Sequence, residues 1–265
     1  MAEIVMAHTA TRLAHAKGRV VVCGSHGGAY VGLLAAAAGV RAIVVNDAGV
    51  GLEAAGVGSL SVCDAHGIAA AAASHASCRI GNAEDTMARG TVSAVNRLAT
   101  ARGVTPGMSV REAATRLTKA RAPRPAPKHG GDEHRSETMV GAVRVLILDS
   151  NGLVRPGEDD GAVIVTGSHG GLVGDDPASA GRAEARLFAF NDAGVGADEA
   201  GISRLPVLDT RHIPAVCVDC FTARIGDGQS TYEDGVISHT NDTARRLGAR
   251  TGTELRSFVA SFAVA

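Results

Sequence analysis

The apolar residues of the chain fall in short runs, several of which end abruptly in polar residues and glycines. Residues 19–23 (RVVVC) and 162–166 (AVIVT) are β-branched runs, and residues 42–45, 68–73, 187–190 and 213–218 are further short apolar runs. Apolar runs of about four to eight residues with these boundaries are typical of strands buried on both faces. The segments between them include an Ala-rich stretch at residues 29–38 that ends at Gly39, which predicts a helix.

The last predicted element of each half has apolar residues at helical spacing. Val92, Val95, Leu98 and Ala99 follow this spacing, and residues 237, 240, 244 and 247 repeat it, so a closing helix is predicted. Strands that alternate with helices indicate a parallel sheet with right-handed crossovers. The predicted fold class is therefore α/β, with two Rossmann-like βαβαβα halves. Residues 143–148, followed by the turn residues Asn151 and Gly152, predict an added hairpin strand before the second half.

The chain repeats itself. The motif Gly-Ser-His-Gly-Gly occurs at residues 24–28 and 167–171, and Asn-Asp-Ala-Gly-Val-Gly occurs at residues 46–51 and 191–196. Residues 46–107 align without a gap with residues 191–252, and 23 of these 62 positions are identical. Two long copies do not make a solenoid. The repeat predicts an internal duplication, with two α/β halves related by a pseudo-twofold axis.

Between the copies lies a Pro/Arg-rich segment, which divides the chain into a first half at residues 1–116, a linker at residues 117–142 and a second half at residues 143–265. Pro123, Pro125 and Pro127 alternate with basic residues and favour extended chain. A solvated linker is the preferred interpretation. A basic lid over an anionic ligand is the alternative.

Composition excludes several classes of protein. The net charge is −1, which gives no overall field for nucleic acid or an anionic membrane. Aromatic residues make up only 3% and tryptophan is absent, which argues against stacking platforms for bases or sugars. No apolar run has the roughly 18 residues of a membrane span, and the N-terminus lacks the pattern of a signal peptide. The expected partner is a small-molecule substrate, with neither a nucleic-acid nor a membrane partner.

The five cysteines predict a location. They are odd in number and scattered, which indicates free thiols in a reducing, cytoplasmic compartment. A homo-oligomer is expected because such assemblies are common, and the Ala-rich residues 33–38 suit close packing against a partner.

The Gly-Ser-His-Gly-Gly motif comes directly after a predicted strand in each half. Glycines there let backbone N–H groups turn toward an anion, and the N-terminus of a following helix adds partial positive charge. The motif is neither a Walker loop nor Gly-x-Gly-x-x-Gly, so no nucleotide cofactor is indicated. A tight turn with a satisfied histidine is the alternative. The functional hypothesis gives acid–base or metal-ligand roles to His26 and His169, ligand contacts or nucleophilic attack to Ser25 and Ser168, and substrate contacts to Gly27, Gly28, Gly170 and Gly171.

An Asn-Asp pair follows the second predicted strand of each half. A carboxylate there can orient a histidine, bind a hard cation or accept a proton, although Asn and Asp also favour simple turns. The hypothesis is that Asp47 and Asp192 orient the two histidines and that Asn46 and Asn191 contact the substrate.

Two arginines and a weak metal pattern complete the candidate chemistry. Arg79 and Arg224 follow the third strand of each half, where a guanidinium suits a carboxylate or phosphate, and a structural ion pair with Asp47 or Asp192 is the alternative. Asp64 and its counterpart Asp209 each have a histidine nearby. Their spacing matches no zinc pattern, so a divalent metal is left open.

Strand-end placement and duplication together predict an enzyme that acts on a small polar or anionic metabolite in a cleft between the halves. Hydrolysis is the preferred reaction, in an amidohydrolase-like or metal-assisted form, because Ser, His and Asp serve nucleophilic attack or water activation. Two alternatives stay open: a lyase or isomerase that works by proton transfer, and a two-lobed protein that binds a metabolite without catalysis.

Overall fold

The structure is a computed structural model that describes residues 2–121, 123 and 133–262. Its strands are β1 (Ile4–Ala7), β2 (Val20–His26), β3 (Ala42–Asn46), β4 (Ala69–Ala73), β5 (Val92–Val95), β6 (Arg135–Val140), β7 (Val143–Leu148), β8 (Val163–His169), β9 (Leu187–Asn191), β10 (Ala215–Val218) and β11 (Ile237–Thr240).

The helices lie between and after these strands. They are α1 (Ala29–Ala38), α2 (Ser59–Ala65), α3 (Ala83–Arg89), α4 (Arg97–Thr100), α5 (Val110–Leu117), α6 (Arg204–Thr210), α7 (Gly228–Glu233), α8 (Asp242–Arg246) and α9 (Leu255–Phe262), with 3-10 turns at Ala10–His15, Leu52–Val57, Asn151–Leu153, Pro177–Ser179 and Ala197–Ile202. Within the described residues, every helix is too short or too polar to cross a membrane.

The strands form two mixed sheets in which most neighbours are parallel. One sheet has the order β1-β2-β3-β4-β5 and the other has the order β11-β10-β9-β8-β7-β6. The predicted α/β class is therefore confirmed. The prediction of a purely parallel sheet is wrong at the edges, because β5 pairs with β4, β11 with β10 and β6 with β7 in the antiparallel sense.

The inner strands are apolar throughout because both faces of each sheet are covered. In the first sheet, Val21 and Cys23 pack on one side with Val31 of α1. Val20 and Val22 pack on the other side in a cluster that includes residues of α5. The second sheet likewise has one apolar cluster on each face. Burial on both faces accounts for the continuous apolar runs seen in the sequence.

The closing helix predicted for each half is wrong. Residues 92–95 form the edge strand β5, and the short helix α4 follows it. Asn96 separates the two, because its side chain accepts a hydrogen bond from Ala99 N–H and so caps α4. Asn241 does the same between β11 and α8. The apolar spacing fits a strand followed by one helical turn as well as it fits a continuous helix.

The segment before the second half also differs from the prediction. β7 is parallel to β8, and its antiparallel partner is β6, which lies inside the interval predicted to be a linker. Residues 151 and 152 lie in a 3-10 turn instead of a hairpin turn. Strand β1, parallel to β2, has no prediction in the sequence. Pro125, Pro127 and the rest of residues 124–132 in the predicted linker lie outside the described residues.

The two halves meet at the carboxyl ends of their parallel strands. The loops at residues 46–51 and 191–196 are called the junction loops below. The residue after each loop donates a hydrogen bond to the other half: Leu52 N–H to Cys220 O at 2.8 Å, and Ala197 N–H to His75 O at 2.8 Å. A small apolar cluster that includes Ala48 and Ala193 fills the space between the halves. Strand ends that carry the repeated motifs are therefore brought into one region.

Candidate active site

A cavity of about 550 Å³ opens between the strand ends of β2 and β8. Ser25 and His26 line it from the first half, and Ser168 and His169 line it from the second half. The two imidazole rings lie edge to face with their centroids 6.3 Å apart. Four of the predicted site residues therefore come together in a single cleft between the halves.

Each cavity histidine is held by a backbone amide of its own loop. Gly28 N–H donates to Nδ1 of His26 at 3.1 Å, and Gly171 N–H donates to Nδ1 of His169 at 3.1 Å. Because an amide nitrogen can only donate, Nδ1 must be the unprotonated nitrogen of each ring. The neutral ring then carries its proton on Nε2, so both histidines can donate an Nε2–H hydrogen bond to a ligand.

Burial keeps both rings neutral. Removal from water lowers the pKa of His26 to about 4. Burial also lowers the pKa of His169, and the positive charges of Arg204 and a protonated His26 lower it further. A neutral imidazole with Nε2–H is a hydrogen-bond donor and has no lone pair on Nε2 for a metal. This geometry favours the donor role over the metal-ligand role.

The glycines that follow are required by packing around these rings. A Cβ at Gly28 would lie 2.7 Å from Nδ1 of His26, and one at Gly171 would lie 2.9 Å from Nδ1 of His169. The N–H groups of Gly27 and Gly170 donate to the carbonyl oxygens of the second strand, at residues 46 and 191. All four glycine amides thus donate within the protein, so they are not directed at an anion as the sequence predicts.

The serines have equivalent backbone partners in the two halves. Ser25 Oγ accepts from Ala10 N–H at 2.9 Å, and Ser168 Oγ accepts from Asn151 N–H at 2.9 Å. In the described part of the chain, these oxygens are held by amides and not by an imidazole. The arrangement suits ligand contact better than nucleophilic attack, which needs an adjacent base.

The structure does not bring Asp47 and Asp192 to His26 and His169. Asp47 Oδ1 accepts from both the backbone N–H and Nδ1 of His75, at 2.8 Å each. Asp192 Oδ1 accepts from Cys220 N–H at 3.0 Å. Cys220 is the counterpart of His75 in the alignment, so the two aspartates hold equivalent loops, one after β4 and one after β10.

The Asp47–His75 pair has a distinct electrostatic character. Hydrogen bonds from His75 and Ser93 outweigh the burial of Asp47 and lower the pKa of that carboxyl. The same hydrogen bond raises the pKa of His75 against the effect of its own burial. His75 is therefore held by a carboxylate, whereas the cavity histidines are held by amides.

The asparagines Asn46 and Asn191 are buried and hold the junction loops. Their Oδ1 atoms accept from the backbone N–H groups two residues later, at 2.9 Å in both halves. Their Nδ2 groups donate to carbonyl oxygens of the loop after the third strand, Asn191 to Ala223 O at 3.0 Å. These contacts place both side chains in the scaffold, away from the cavity.

The predicted arginines form ion pairs between the halves. Arg79 Nε lies 2.8 Å from Asp198 Oδ2, and Arg224 Nη1 lies 3.5 Å from Glu53 Oε2. Asp198 and Glu53 occupy equivalent positions in the repeat. The predicted ion-pair partners Asp47 and Asp192 are therefore wrong, because both arginines pair with exposed carboxylates instead.

Sequence reasoning missed several cavity residues, among them Arg204, Asn151 and Glu133. Arg204 is only 3% exposed, at the start of α6, and lines the cavity. Asn151 and Glu133 also line it, although they fall in segments predicted to be a turn and a linker. The one local signal is the asymmetry of the repeat, because Arg204 aligns with Ser59.

The aspartates of the weak metal pattern, Asp64 and Asp209, do not form a metal centre at the cavity. Asp64 pairs with Arg97 at 3.3 Å, and Asp209 Oδ1 accepts from Thr243 N–H at 2.8 Å. Among the described residues, ligand atoms close enough to share a cation occur only in a group of acidic and thiol side chains. That group, whose atoms lie within 4.8 Å of one another, consists of Asp192, Asp219 and Cys220.

Comparisons with protein-family models, with curated proteins and with solved structures find no match to this chain.

Proposed function

We propose that the protein is an enzyme that hydrolyses an acyl–nitrogen bond in a small polar or anionic metabolite bound between its two halves. The observation that carries this proposal is the pair of imidazoles, half-buried His26 and buried His169, that line the same cavity with their ring centroids 6.3 Å apart. Two Nε2–H donors that converge on one cavity suit the carbonyl oxygen of an amide, where negative charge develops during hydrolysis. Histidine donors of this kind must stay neutral, as burial ensures.

Glu133 is the candidate base. Two other described carboxylates line the cavity, and backbone amides already hold both. Asp149 accepts from Gly228 N–H and His134 N–H, and Asp176 accepts from Ala178 N–H. Burial raises the pKa of Glu133 against the effect of a hydrogen bond with Ser150, and the negative charge of Asp149 raises it further. A carboxylate with a raised pKa is a stronger acceptor for a proton from water.

The proposed hydrolysis needs only water and the side chains of the cavity. The water oxygen bonds to the carbonyl carbon, and a water proton moves to the Glu133 carboxylate. His26 and His169 donate hydrogen bonds to the carbonyl oxygen as it gains charge. The carbon–nitrogen bond then breaks, the nitrogen takes the proton from Glu133, and the products are a carboxylic acid and an amine. Ser25 and Ser168 contact the substrate.

Two mutants and a control test this proposal. Glu133→Gln should lower kcat by about 10²–10⁴-fold, because general base catalysis is lost, while ligand binding stays near the wild-type level. His169→Phe should lower kcat by about 10²–10³-fold by removing one donor to the developing charge. His66→Gln, outside the cavity, is the control. Amine release from a panel of small amides, followed with a fluorescent amine reagent, is the measurement.

The outcomes separate the alternatives. Binding of a panel member with neither amine release nor any other conversion would overturn the enzyme proposal and leave a two-lobed binding protein. Proton exchange or isomerisation of a bound compound without cleavage would overturn hydrolysis in favour of a lyase or isomerase. Full activity in both cavity mutants would place the chemistry elsewhere.

The proposal extends to origin and setting. The repeated motifs occupy equivalent strand ends in both halves, which supports an internal duplication with a pseudo-twofold axis. All five cysteines are free and buried, which supports a reducing, cytoplasmic compartment. A homo-oligomer remains part of the proposal on the general frequency of such assemblies.

A further inference from the structure

The two faces of the cavity differ in charge. Histidine and serine are present on both sides, and each half contributes one exposed arginine, Arg12 and Arg182. The second half adds the buried residues Arg204 and Asn151. The equivalents in the first half are Ser59, from the alignment, and Ala10, whose N–H donates to Ser25 as that of Asn151 donates to Ser168. A ligand between these faces is therefore held in one orientation, with its charged end toward the second half.

Arg204 is a buried cation with no acidic partner in the described part of the chain. Its Nε donates to Gly171 O at 2.9 Å, and its Nη1 donates to Ala180 O at 2.9 Å and to Ser179 O. These contacts occupy Nε and both protons of Nη1, and they leave Nη2 for another acceptor. A buried charge is costly unless an opposite charge balances it, and the cavity ligand can supply that charge.

Asn151 provides an independent observation on the same side. The residue is 8% exposed and lines the cavity, and its buried Oδ1 has no hydrogen-bond partner among the described residues. A buried acceptor without a donor is costly, so a ligand N–H or O–H is the natural partner. The cavity thus offers a cation, an acceptor and two imidazole donors.

We infer that the cavity takes a small monocarboxylate that also carries an amide, with the carboxylate on Arg204, the amide carbonyl between His26 and His169, and the amide N–H on Asn151. This inference rests on the proposed function and names its substrate class. Arg204 is the buried guanidinium among the described arginines of the cavity, whereas Arg12 and Arg182 also line it but are exposed to solvent. One buried guanidinium balances a single negative charge and exposed charges are screened, so a carboxylate fits better than a phosphate dianion. N-acylated and N-carbamoylated amino acids have this combination of groups.

Calorimetric titration with matched probes tests the inference. N-acetylglycine carries the carboxylate and the amide, and N-acetylglycinamide is the neutral counterpart. We expect wild-type protein to bind the acid at least about 30-fold more tightly than the neutral compound. Arg204→Met should weaken binding of the acid by about 100-fold and leave the neutral compound unchanged. Inorganic phosphate should bind more weakly than the acid.

Arg41→Met is the matched control. Arg41 also donates from Nε and Nη1 to backbone carbonyls, of Gly18 at 3.0 Å and Ala120 at 2.6 Å, but it does not line the cavity. A loss of binding that is equal in both variants would make Arg204 a structural residue and overturn the inference. Equal affinity of wild-type protein for the acid and the neutral compound would overturn it, as would tighter binding of phosphate.

A second variant serves if Arg204→Met does not fold. Asn151→Asp keeps the shape of the side chain and adds a negative charge. It should therefore weaken binding of the acid by about 10-fold or more relative to binding of N-acetylglycinamide. An unchanged ratio would contradict the inference. Binding of the acid without cleavage would support the inference and overturn hydrolysis. Cleavage of neutral amides at a rate that Arg204→Met leaves unchanged would support hydrolysis and overturn the inference.

Discussion

At the scale of single residues, the histidines near the junction of the halves differ in what Nδ1 contacts. His26 and His169 accept from a backbone N–H, and burial without a counter-charge lowers their pKa values. His75 instead faces the Asp47 carboxylate, which raises its pKa. The same residue type is therefore a neutral donor in the cavity, whereas beside the junction loops a carboxylate favours its charged form.

This difference predicts opposite pH dependence. His26, with its pKa lowered from 6.5 to about 4, should favour the fold above pH 6.5 and lose that contribution as the pH falls from 6.5 toward 4. His75, with its pKa raised, should stabilise the fold fully below pH 6.5 and lose the contribution as the pH rises through its folded-state pKa. Imidazole chemical shifts measured by NMR as the pH is varied check both directions. Titration of His26 above that of His75 would refute the assignment.

At the scale of elements, a buried asparagine in each half connects an inner strand to the short helix after the edge strand. Asn96 connects β4 to α4, and Asn241 connects β10 to α8. Asn96 accepts from Ala70 N–H at 3.0 Å and from Ala99 N–H at 2.9 Å, and it donates to Ile68 O at 2.8 Å. Asn241 makes the equivalent bonds in the second half. A single side chain thus fixes the position at which a strand ends and a helix begins.

Asn96→Ala should therefore destabilise the fold strongly. It leaves buried backbone groups without partners, each of which costs about 1–3 kcal/mol, so we expect a loss of roughly 3–5 kcal/mol. Ser109→Ala is the control, because this exposed cap of α5 makes one bond, to Glu112 N–H at 3.2 Å, and its loss costs about 1 kcal/mol. Urea denaturation of both variants is the measurement. Equal losses would show that Asn96 acts only as a cap.

At the scale of the whole molecule, the junction loops lock the halves together. Gly49 and Gly194 pack against each other, and a Cβ on Gly194 would lie 2.8 Å from Gly49 Cα and 2.9 Å from Cδ2 of His75. Both glycines have positive φ, at 77° and 73°. The motif repeats because each copy supplies one side of a reciprocal contact.

A methyl group at this contact should loosen both halves together. Gly194→Ala should cost more than Gly67→Ala, which has a similar φ of 74° but nothing within 4 Å, by about 1–3 kcal/mol of packing strain. The control isolates the left-handed backbone cost of about 1–2 kcal/mol. Hydrogen exchange should speed up in β3 and β4 of the first half although the change lies in the second. Faster exchange confined to the second half would contradict the coupling.

Sequence patterns predicted the parts of this molecule that depend on near neighbours. β2, β3 and their counterparts follow from short apolar runs, and the Gly-Ser-His-Gly-Gly motifs span the ends of β2 and β8. The closing helix failed because apolar spacing alone cannot locate the asparagine cap that divides it. The strand β6 was missed because its side chains are largely exposed and it borders a Pro-rich segment.

The sequence by itself determined the α/β class, the two similar halves and the placement of His26 and His169 after equivalent strands. Only the tertiary structure decided that these histidines share one cavity, that Asp47 and Asp192 hold the loops where the halves meet, and that Arg204 and Asn151 line the same cavity. The reason is physical. Strand formation depends on local side-chain pattern and backbone preference, whereas hydrogen-bond partners and buried charge depend on contacts between residues far apart in the chain, which no local pattern specifies.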